Sequence, residues 1–498
     1  MHILIASSEA VPYAKTGGLA DVCGALPAAL AGLGQQATLI LPAYRQTRYC
    51  GLPIEPMGID FIVPIGSKTV TGHLLESRLP NSDVRVFLVQ QNEYYDRPEL
   101  YRADGADHQD NCERFVFFCR AVMEAIRLLH LNVDVIHAND WQTGLLPAYL
   151  KTEYRKHPRY AKIASLFTIH NIAYQGAFWH WDMLLTGLEW RYFNWKQMEY
   201  YGKLNLLKTG MVFADTISTV SPRYAQEIQT PQFGRGLEGV LQNRRDVLCG
   251  ILNGVDETVW NPAFDALIAA RYTPDTVGQG KPQCKAALQQ EMGLPVRSDV
   301  PLVGMIGRLD EQKGHDLVAE VIADWAPTHD VQWVILGTGE PRYHRLLGEL
   351  ASRHPQKMAV RLEYSDRLAH HIEAGADMFL MPSRFEPCGL NQLYSLKYGT
   401  VPVVREVGGL ADTIVDATPA NLATGAANGF SFREDSVPGL AETLQRACDL
   451  YRRPELWAQL MQVGMRQDWS WTHSAAEYLR VYEQTIARAH APAGDDAT

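Results

Sequence analysis

Residues 15–22, Lys-Thr-Gly-Gly-Leu-Ala-Asp-Val, place a cation, two adjacent glycines and an acid in a loop after a short apolar run, residues 3–6. The run predicts a buried β-strand, and residues 20–33 predict the helix that follows. Gly17 and Gly18 let backbone N–H groups approach a ligand, because no Cβ stands in the way. Since a helix N-terminus attracts anions and Lys15 adds a full charge, the loop is a candidate anion site. The alternative is a tight turn with a solvated lysine.

A second loop, residues 307–314, reads Gly-Arg-Leu-Asp-Glu-Gln-Lys-Gly and follows another apolar run. Arg308 offers a rigid fork of donors and Lys313 a point charge, a combination suited to a diphosphate. Taken alone, the loop could be a surface turn with solvated charges. Paired with Lys15 and its glycines, it predicts the other wall of an anion-binding cleft.

Residues 384–390, Arg-Phe-Glu-Pro-Cys-Gly-Leu, lie between a buried run at 378–381 and a predicted helix. Glu386 would stand at the carboxyl edge of a parallel sheet, where open α/β sheets bind ligands. There it could bond sugar hydroxyls or offset developing positive charge. The alternative is a glutamate that complements the helix macrodipole.

Three further clusters follow apolar runs: residues 137–141 (His-Ala-Asn-Asp-Trp), 167–171 (Phe-Thr-Ile-His-Asn) and 408–412 (Gly-Gly-Leu-Ala-Asp). The first two predict polar side chains at one sheet edge. The third echoes the opening loop without its lysine, and it predicts either a phosphate- or ribose-side turn or a purely structural one.

Aromatic residues are dense in the first half of the chain: Tyr94, Tyr95, Trp179, Trp181, Trp190 and Trp195. Aromatic faces can stack on sugar rings, and they are also typical of cores and interfaces. Both interpretations stay open.

Short apolar runs alternate with amphipathic stretches along the chain. The first half predicts strands at 37–41, 84–89, 134–137, 163–169 and 216–220, and helices at 112–129 and 144–156. The second half predicts strands at 302–306, 333–336, 359–362, 378–381 and 401–404, and helices at 316–323, 341–353, 367–374 and 390–398. Such alternation predicts an α/β fold of two Rossmann-like domains.

The predicted domains span residues 1–250 and 251–469, with a turn at 253–256 near the boundary. A helix at about 470–490 should pack back and complete the first domain, since one helical face carries Trp471, Ala475, Tyr478, Leu479, Tyr482 and Ile486. Residues 491–498 are small and polar and predict a frayed tail.

The composition of the chain argues against several classes of function. The 498 residues carry a net charge of −10, which argues against nucleic acid or an anionic membrane as partner. The eight cysteines lack a C-x-x-C pair and the sixteen histidines lack metal-ligand spacing, so neither a disulfide framework nor a metal is expected. With no membrane-length apolar run and no signal-peptide pattern, a cytoplasmic protein is expected.

Taken together, these segments resemble the bacterial glycogen synthases and the plant starch synthases. The matching segments are residues 15–22, 137–141, 168–171, 253–256, 307–314, 383–390 and 408–412, and the similarity runs from residue 1 to about 490. The resemblance implies the GT-B fold, two Rossmann-like domains facing across a cleft that holds the active site, with the acceptor side in residues 1–250 and the nucleotide-sugar side in residues 251–469. It implies transfer of glucose from ADP-glucose to the 4-hydroxyl at the non-reducing end of an α-1,4-glucan such as glycogen, with retention of configuration and without metal or cofactor.

The same resemblance assigns roles to individual residues. It implies a catalytic set of Glu386, Arg308, Lys313, His170 and Asp140. It implies a donor-binding set of Lys15, Gly17, Gly18, Asp21, Tyr364, Cys388, Gly389 and Leu390, and acceptor contacts at Tyr95 and Asn253.

Three positions bear on how closely the family pattern is kept. Asn139 stands where many bacterial relatives have a histidine, although the starch synthases share the asparagine. Gln142 replaces the usual histidine after the Asp-Trp pair, which puts a local acceptor contact in doubt. Tyr394 occupies the second position of the E-x7-E pattern of other GT-B enzymes, as in the synthases.

Other functions remain open at this point. A related glycosyltransferase could use UDP-glucose or a non-glucan acceptor, since the cation loops serve any nucleotide diphosphate. A non-catalytic glucan-binding protein would not need Lys15, Arg308, Lys313 and Glu386 together. A dehydrogenase is disfavoured because the opening loop lacks G-x-G-x-x-G.

Overall fold

The structure is a computed structural model that describes residues 1–103 and 105–491. The chain divides into two compact units, one formed by Met1–Gly254 with the chain from Trp471 onward, the other by Val255–Ser470. The assignment of an acceptor side and a nucleotide-sugar side to these units stays a prediction. The predicted tail at 491–498 lies outside the described residues except for Ala491. Among the helices of the described ranges, none is long and apolar enough to cross a membrane.

The first unit is built on a mixed sheet. The strands of this unit are β1 His2–Ala6, β2 Gln36–Pro42, β3 Glu55–Ile65, β4 Lys68–Arg78, β5 Arg85–Gln90, β6 Arg102–Ala103, β7 Ala106–Asp107, β8 Val135–Asn139, β9 Ala164–Ile169, β10 Ala177–Trp179, β11 Glu199–Tyr200, β12 Lys203–Asn205, β13 Thr216–Thr219 and β14 Leu248–Gly250. Of these, β10, β12 and β11 form a separate three-stranded sheet, and β6 and β7 form a separate two-stranded sheet. In the described residues the main sheet has the order β14-β13-β9-β8-β1-β2-β5-β4-β3, and its strands from β14 to β5 run parallel.

Helices cover both faces of this sheet. They are α1 Gly18–Gly32, α2 Asn92–Tyr95, α3 Asn111–Leu128, α4 Leu145–Lys151, α5 Met183–Thr186, α6 Leu206–Phe213, α7 Pro222–Glu227 and α8 Glu238–Asn243. Short 3-10 turns lie at Arg45–Tyr49, Trp141–Thr143, His180–Asp182, Trp190–Tyr192 and Arg245–Val247. Alternate side chains of β1 enter different core clusters, Leu4 on the α3 side and Ile3 on the α1 side. The strand is therefore buried on both faces, as expected for a parallel sheet.

Two of the differences between the structure and the prediction lie in the first unit and have a clear physical reason. The antiparallel pair β3–β4 was not predicted, although its buried and exposed residues alternate as in a half-buried strand. The helix predicted at 144–156 ends at Lys151, because Thr152 leaves helical geometry (φ −118°, ψ −86°) and the Tyr154 ring then packs edge-on against Tyr160.

The second unit contains a parallel sheet of order β17-β16-β15-β18-β19-β20 in the described chain. Its strands are β15 Leu302–Ile306, β16 Gln332–Leu336, β17 Met358–Arg361, β18 Met378–Met381, β19 Val401–Arg405 and β20 Phe430–Phe432. Its helices are α9 Val277–Glu291, α10 His315–Trp325, α11 Pro341–Arg353, α12 Asp366–Gly375, α13 Asn391–Tyr398, α14 Gly408–Thr413, α15 Pro419–Thr424, α16 Val437–Tyr451 and α17 Pro454–Arg466, with a 3-10 turn at Glu311–Lys313.

The last helix, α18 Trp471–Ala489, belongs to the first unit. Its buried residues include Trp471, Ala475, Tyr478 and Tyr482, four of the six predicted for its apolar face, and they join the core cluster on the α1 side. Leu479 and Ile486 are half-buried. In both units, the loops that follow the parallel strands lie at the carboxyl edge of the sheet. The candidate residues lie at this edge.

Candidate active site

The loop after β1 is held in shape by Glu9. Its buried carboxylate accepts hydrogen bonds from the Thr16 N–H, from the Thr16 hydroxyl at 2.6 Å and from the Tyr101 hydroxyl at 2.7 Å. Burial raises the pKa of this carboxyl. The sequence analysis did not predict a role for Glu9, although an acid in the loop that follows a buried strand is the signal that identified Glu386.

The predicted anion loop combines a cation with open space. Lys15 Nζ lies 2.7 Å from Asp21 Oδ1, in the first turn of α1. A Cβ added to Gly17 would meet nothing within 4 Å. Because the protein itself does not require a glycine there, the space in front of Gly17 is available to a ligand.

Asp140 and His170 follow the adjacent strands β8 and β9. Asp140 has φ 56° and ψ −177°, a conformation that non-glycine residues rarely adopt and that clusters at functional sites. Its Oδ1 accepts a hydrogen bond of 2.7 Å from the His170 N–H. Burial raises the pKa of the Asp140 carboxyl to about 7, against backbone hydrogen bonds that lower it. The two predicted residues are thus joined directly.

Asn139 fixes the tautomer of His170. The Asn139 amide nitrogen donates to the carbonyls of Ala6 at 3.1 Å and His137 at 3.2 Å, so its Oδ1 is the acceptor end. His170 Nε2 lies 2.9 Å from that oxygen and must donate. Burial lowers the pKa of His170 to about 3. The ring is therefore neutral at physiological pH, with the proton on Nε2 and the lone pair on Nδ1.

Two other polar residues of this segment point into the core. His137 is fully buried and lies 2.8 Å from the Tyr482 hydroxyl of α18 and 2.6 Å from Thr168 Oγ1. Gln142 is also buried, and its Oε1 has no hydrogen-bond partner among the described residues. Neither side chain joins Asp140 and His170.

The two predicted acceptor residues have different environments. Tyr95 has no exposed surface, and its hydroxyl donates to the Arg114 carbonyl at 2.8 Å. Asn253 follows β14 and is buried, with an Oδ1 that lacks a hydrogen-bond partner within the described chain. An unpaired buried amide oxygen favours a ligand contact at Asn253 more than at Tyr95.

In the second unit, the loop from Gly307 to Gly314 presents two cations. Asp310 caps the 3-10 turn by accepting from the Lys313 N–H at 3.3 Å, and His315 Nε2 lies 2.9 Å from the Arg308 carbonyl oxygen. The Arg308 side chain is 51% exposed, with its guanidinium 3.6 Å from Asp310. The loop backbone is fixed while the Arg308 guanidinium remains accessible.

Lys313 and Glu386 form an ion pair. Lys313 Nζ donates to Glu386 Oε2 at 2.6 Å, and the Ser383 hydroxyl donates to the same oxygen at 2.9 Å. Glu386 is 6% exposed. Because β15 and β18 are neighbours, the loops that follow them bring the two predicted catalytic groups together.

The two loops are joined by further bonds. The Arg384 N–H donates to the Gln312 carbonyl at 2.8 Å, and Gln312 Nε2 donates to the Phe385 carbonyl at 3.0 Å. Asn391 Nδ2 reaches back to the Ile306 carbonyl at 2.9 Å. These hydrogen bonds hold together the two loops that carry Arg308, Lys313 and Glu386. The backbone of the site is therefore preorganised for ligand binding.

The glycines at 408 and 409 have a packing role. A Cβ on Gly408 would lie 1.9 Å from the Glu386 carbonyl oxygen, and one on Gly409 would lie 2.1 Å from that of Cys388. The Gly409 N–H donates to the Glu386 carbonyl at 3.2 Å. These short distances require glycine at both positions, because the backbone packs closely against the turn that carries Glu386. They therefore favour the interpretation of residues 408–412 as a purely structural turn.

The remaining predicted donor residues lie around the same edge. Gly389 has φ +71°, and Leu390 is the residue before α13. Cys388 is buried, whereas Tyr364 is 76% exposed beyond the end of β17. Within the described ranges, no group of three or more His, Cys, Asp or Glu is arranged to hold a metal ion.

The chain matches two family models. Residues 2–243 match the starch synthase catalytic domain, and residues 290–459 match glycosyl transferases group 1. A glycogen synthase of Rhodopirellula baltica is 46% identical over 498 residues, covering 98% of both chains. A glycogen synthase of Syntrophotalea carbinolica is 45% identical over 493 residues, covering 99% of this chain and 100% of the relative.

Solved structures of two other proteins are similar to this chain. The catalytic domain of starch synthase IV from Arabidopsis thaliana, bound to ADP and acarbose, superposes with a TM-score of 0.90 at 30% identity, covering 98% of this chain and 99% of that one. Sucrose-phosphate synthase from Thermosynechococcus elongatus has a TM-score of 0.58 at 17% identity, a likeness of fold alone. The predicted GT-B fold class and the predicted family are confirmed, and the chain belongs to the glycogen synthase and starch synthase family.

Proposed function

We propose that this protein is a glycogen synthase that transfers glucose from ADP-glucose to the non-reducing end of an α-1,4-glucan and releases ADP. The observation that supports it most is full-length similarity to relatives named glycogen synthase, at 46% and 45% identity. The starch synthase bound to ADP and acarbose supports adenine in the donor and a glucan-like acceptor. In the reaction, the bond from the sugar C1 to the diphosphate breaks, and a bond to the acceptor O4 forms on the same face.

Arg308 and Lys313 are proposed to stabilise the departing diphosphate. Negative charge grows on the leaving oxygen as the C1–oxygen bond breaks, and the two cations offset it. The Lys313–Glu386 ion pair supports this assignment, since it holds the ammonium at a defined point before substrate arrives. The acceptor hydroxyl proton passes to the departing phosphate.

Glu386 and the turn after it are proposed to hold the transferred glucose. With one oxygen bonded to Lys313 and Ser383, the second carboxylate oxygen can accept a sugar hydroxyl. The N-terminus of α13, with Cys388, Gly389 and Leu390 before it, is suited to the distal phosphate, because its amides and dipole favour negative charge. Tyr364 is proposed to stack on adenine.

In the first unit, Asp140 and His170 are proposed to bind sugar hydroxyls. A neutral His170 with its Nε2 proton engaged by Asn139 presents only Nδ1 as an acceptor. Lys15 with Asp21, Gly17 and Gly18 are proposed to contact the donor phosphates and glucose, and Asn253 and Tyr95 the acceptor. A cytoplasmic location is proposed as well, and it is supported by the eight cysteines, since none of them forms a disulfide among the described residues.

The test is an incorporation assay. The purified protein is incubated with glycogen and ADP-glucose labelled in the glucose, and label in precipitated glycogen is compared with ADP released. Equal amounts, with β-amylase releasing the label as maltose, would support α-1,4 transfer. ADP release without incorporation would contradict it, and glycogen binding without ADP release would favour a non-catalytic glucan-binding protein.

A further inference from the structure

Tyr394 stands at the second position of the E-x7-E pattern that begins at Glu386, and its ring is one end of a stack of three rings in the second unit. The indole of Trp260 lies between the Tyr394 ring and the His370 imidazole. The ring centroids of Trp260 and Tyr394 are 4.1 Å apart with an interplanar angle of 5°, and those of Trp260 and His370 are 3.9 Å apart with an angle of 10°. Because nearly parallel rings at these distances are in contact across their faces, Trp260 sets the plane of the Tyr394 ring.

The other end of the stack is fixed by Asp265. His370, which is 2% exposed, has its Nδ1 atom 2.8 Å from Asp265 Oδ2, and the Tyr398 hydroxyl donates to the same oxygen at 2.7 Å. The Leu267 N–H donates to Asp265 Oδ1 at 2.8 Å. Burial acts to raise the pKa of the Asp265 carboxyl, but the hydrogen bonds from His370 and Tyr398 bring it below its ordinary value. The carboxylate is therefore ionised, and His370 donates from Nδ1 and is held in one orientation.

The stack is part of a longer contact between one segment and α13. We call residues 257–265 the supporting segment. Besides the ring stack and the hydrogen bond from Tyr398, Glu257 Oε1 accepts a hydrogen bond of 2.6 Å from Lys397 Nζ. These contacts reach α13 at positions 394, 397 and 398, which lie on one side of the helix. The supporting segment therefore holds α13 along its length.

The other end of α13 follows the turn that carries Glu386. Leu390, the residue before the helix, packs in the same apolar cluster as Tyr394, and the Tyr394 N–H donates to the Leu390 carbonyl at 3.0 Å. Gln392 Nε2 in the first turn of α13 donates to the Cys388 carbonyl at 3.0 Å. A displacement of Tyr394 would consequently displace the backbone amides that precede the helix.

We propose that the supporting segment, together with His370, positions the N-terminus of α13 for the distal phosphate of the sugar nucleotide. Binding of that phosphate at α13 rests on the proposed function. Trp260 is a positioning residue, because it acts through Tyr394. The attraction between a helix N-terminus and an anion falls off within one turn, so a small shift of α13 weakens the contact with the distal phosphate. Contacts with adenine, ribose and the first phosphate do not depend on this helix.

The test compares the affinities of the full chain for ADP and AMP by titration calorimetry. AMP keeps adenine, ribose and the first phosphate, and it lacks only the distal one. We expect Trp260→Ala to bind ADP about tenfold more weakly and AMP as the wild type does. Trp260→Leu, which keeps apolar volume but has no flat face, should behave in the same way. Trp260→Phe should recover most of the ADP affinity.

Trp325→Ala is the matched control. Trp325 is the last residue of α10 in the same unit, is buried, and also stacks on a histidine, His329, with ring centroids 4.2 Å apart and an interplanar angle of 13°. Removing this indole should lower the melting temperature, as removing that of Trp260 does, because each loses a large packed ring. Both nucleotide affinities of Trp325→Ala should stay at the wild-type values.

Equal weakening of ADP and AMP binding in Trp260→Ala would overturn the proposal, since it would indicate a general loss of structure. Unchanged ADP affinity in this variant would overturn it as well. A wild-type protein that binds UDP and not ADP would contradict the proposed donor and not the role of the supporting segment. In that event the same variants, compared with UDP and UMP, decide the role of Trp260.

Discussion

Lys313 Nζ and Glu386 Oε2 lie 2.6 Å apart although 73 residues separate them in the chain. The ammonium and the carboxylate neutralise each other, and the Ser383 hydroxyl completes the bonding of the shared oxygen. Breaking a largely buried pair leaves one charge uncompensated and is strongly destabilising. Two groups proposed to act on different parts of the donor therefore also support each other's position.

Lys313→Ala and Arg308→Ala should each lower kcat about 100-fold, because each removes a cation proposed to stabilise the leaving diphosphate. Arg353→Ala, which removes an exposed arginine of α11, is the control and should keep the wild-type rate. Steady-state ADP release measures this. Near-normal kcat in either variant would remove that residue from leaving-group stabilisation.

Lys313→Ala should also lower the melting temperature, since Glu386 loses its cation. Combining it with Glu386→Gln should restore much of the stability and none of the activity, because the buried carboxylate charge is then gone. Calorimetry and rate measurements on the same samples separate the two effects. A double variant as unstable as Lys313→Ala would show that the pair is not energetically coupled.

Gly17→Ala and Gly409→Ala should behave in opposite ways. A Cβ at Gly17 has open space, so this variant should melt like the wild type and show a raised KM for ADP-glucose. A Cβ at Gly409 would press on the Cys388 carbonyl at 2.1 Å, so that variant should lose more than about 1 kcal/mol of stability. A normal KM for Gly17→Ala would count against donor binding at this loop.

His170 should be neutral and protonated on Nε2 from pH 5 to pH 9, because burial lowers its pKa to about 3. Nitrogen-15 NMR of labelled histidine reports both the tautomer and the charge. Asn139→Asp puts a carboxylate beside the ring, which raises the pKa of His170 and should add an acidic limb to the pH profile of kcat. A proton on Nδ1 in the wild type would contradict the role given to Asn139.

Asp140 should make folding stability fall as pH rises. Its pKa is raised from 3.8 to about 7 by burial, so between these values the folded state keeps a proton that the unfolded state has lost. Stability then drops by up to about 1.4 kcal/mol per pH unit and levels off above pH 7. Asp140→Asn should match the wild type at pH 4 and exceed it at pH 8 in urea melts. The exposed Asp246→Asn serves as control, and a constant difference across pH would contradict the raised pKa.

Local sequence patterns predicted much of the sheet framework. The runs at 302–306 and 378–381 are the strands Leu302–Ile306 and Met378–Met381, and Pro341 marks the first residue of the helix predicted at 341–353. These elements were predictable because their signals are local in the sequence. The signals are apolar runs, β-branched residues and a proline at a helix start. The β3–β4 pair was missed because a hairpin at a sheet edge alternates its burial and lacks the continuous apolar run of a central strand.

The arrangement of the site residues depends on strand order, which local patterns do not carry. Lys313 meets Glu386 because β15 lies beside β18, although two strands intervene in sequence. The bond from His170 to Asn139 likewise depends on β8 and β9 being neighbours. For Gly408 and Gly409, sequence reasoning left two alternatives open, and the distances to the Glu386 and Cys388 carbonyls favour the structural one.

The proposed transfer of glucose from ADP-glucose is tested by comparing two sugar-nucleotide donors. Initial rates of glucose transfer to glycogen are measured with ADP-glucose and UDP-glucose over the same concentration range, and kcat/KM is compared. We predict a clear preference for ADP-glucose, with Tyr364→Ala reducing that preference. Transfer from UDP-glucose with none from ADP-glucose would contradict it.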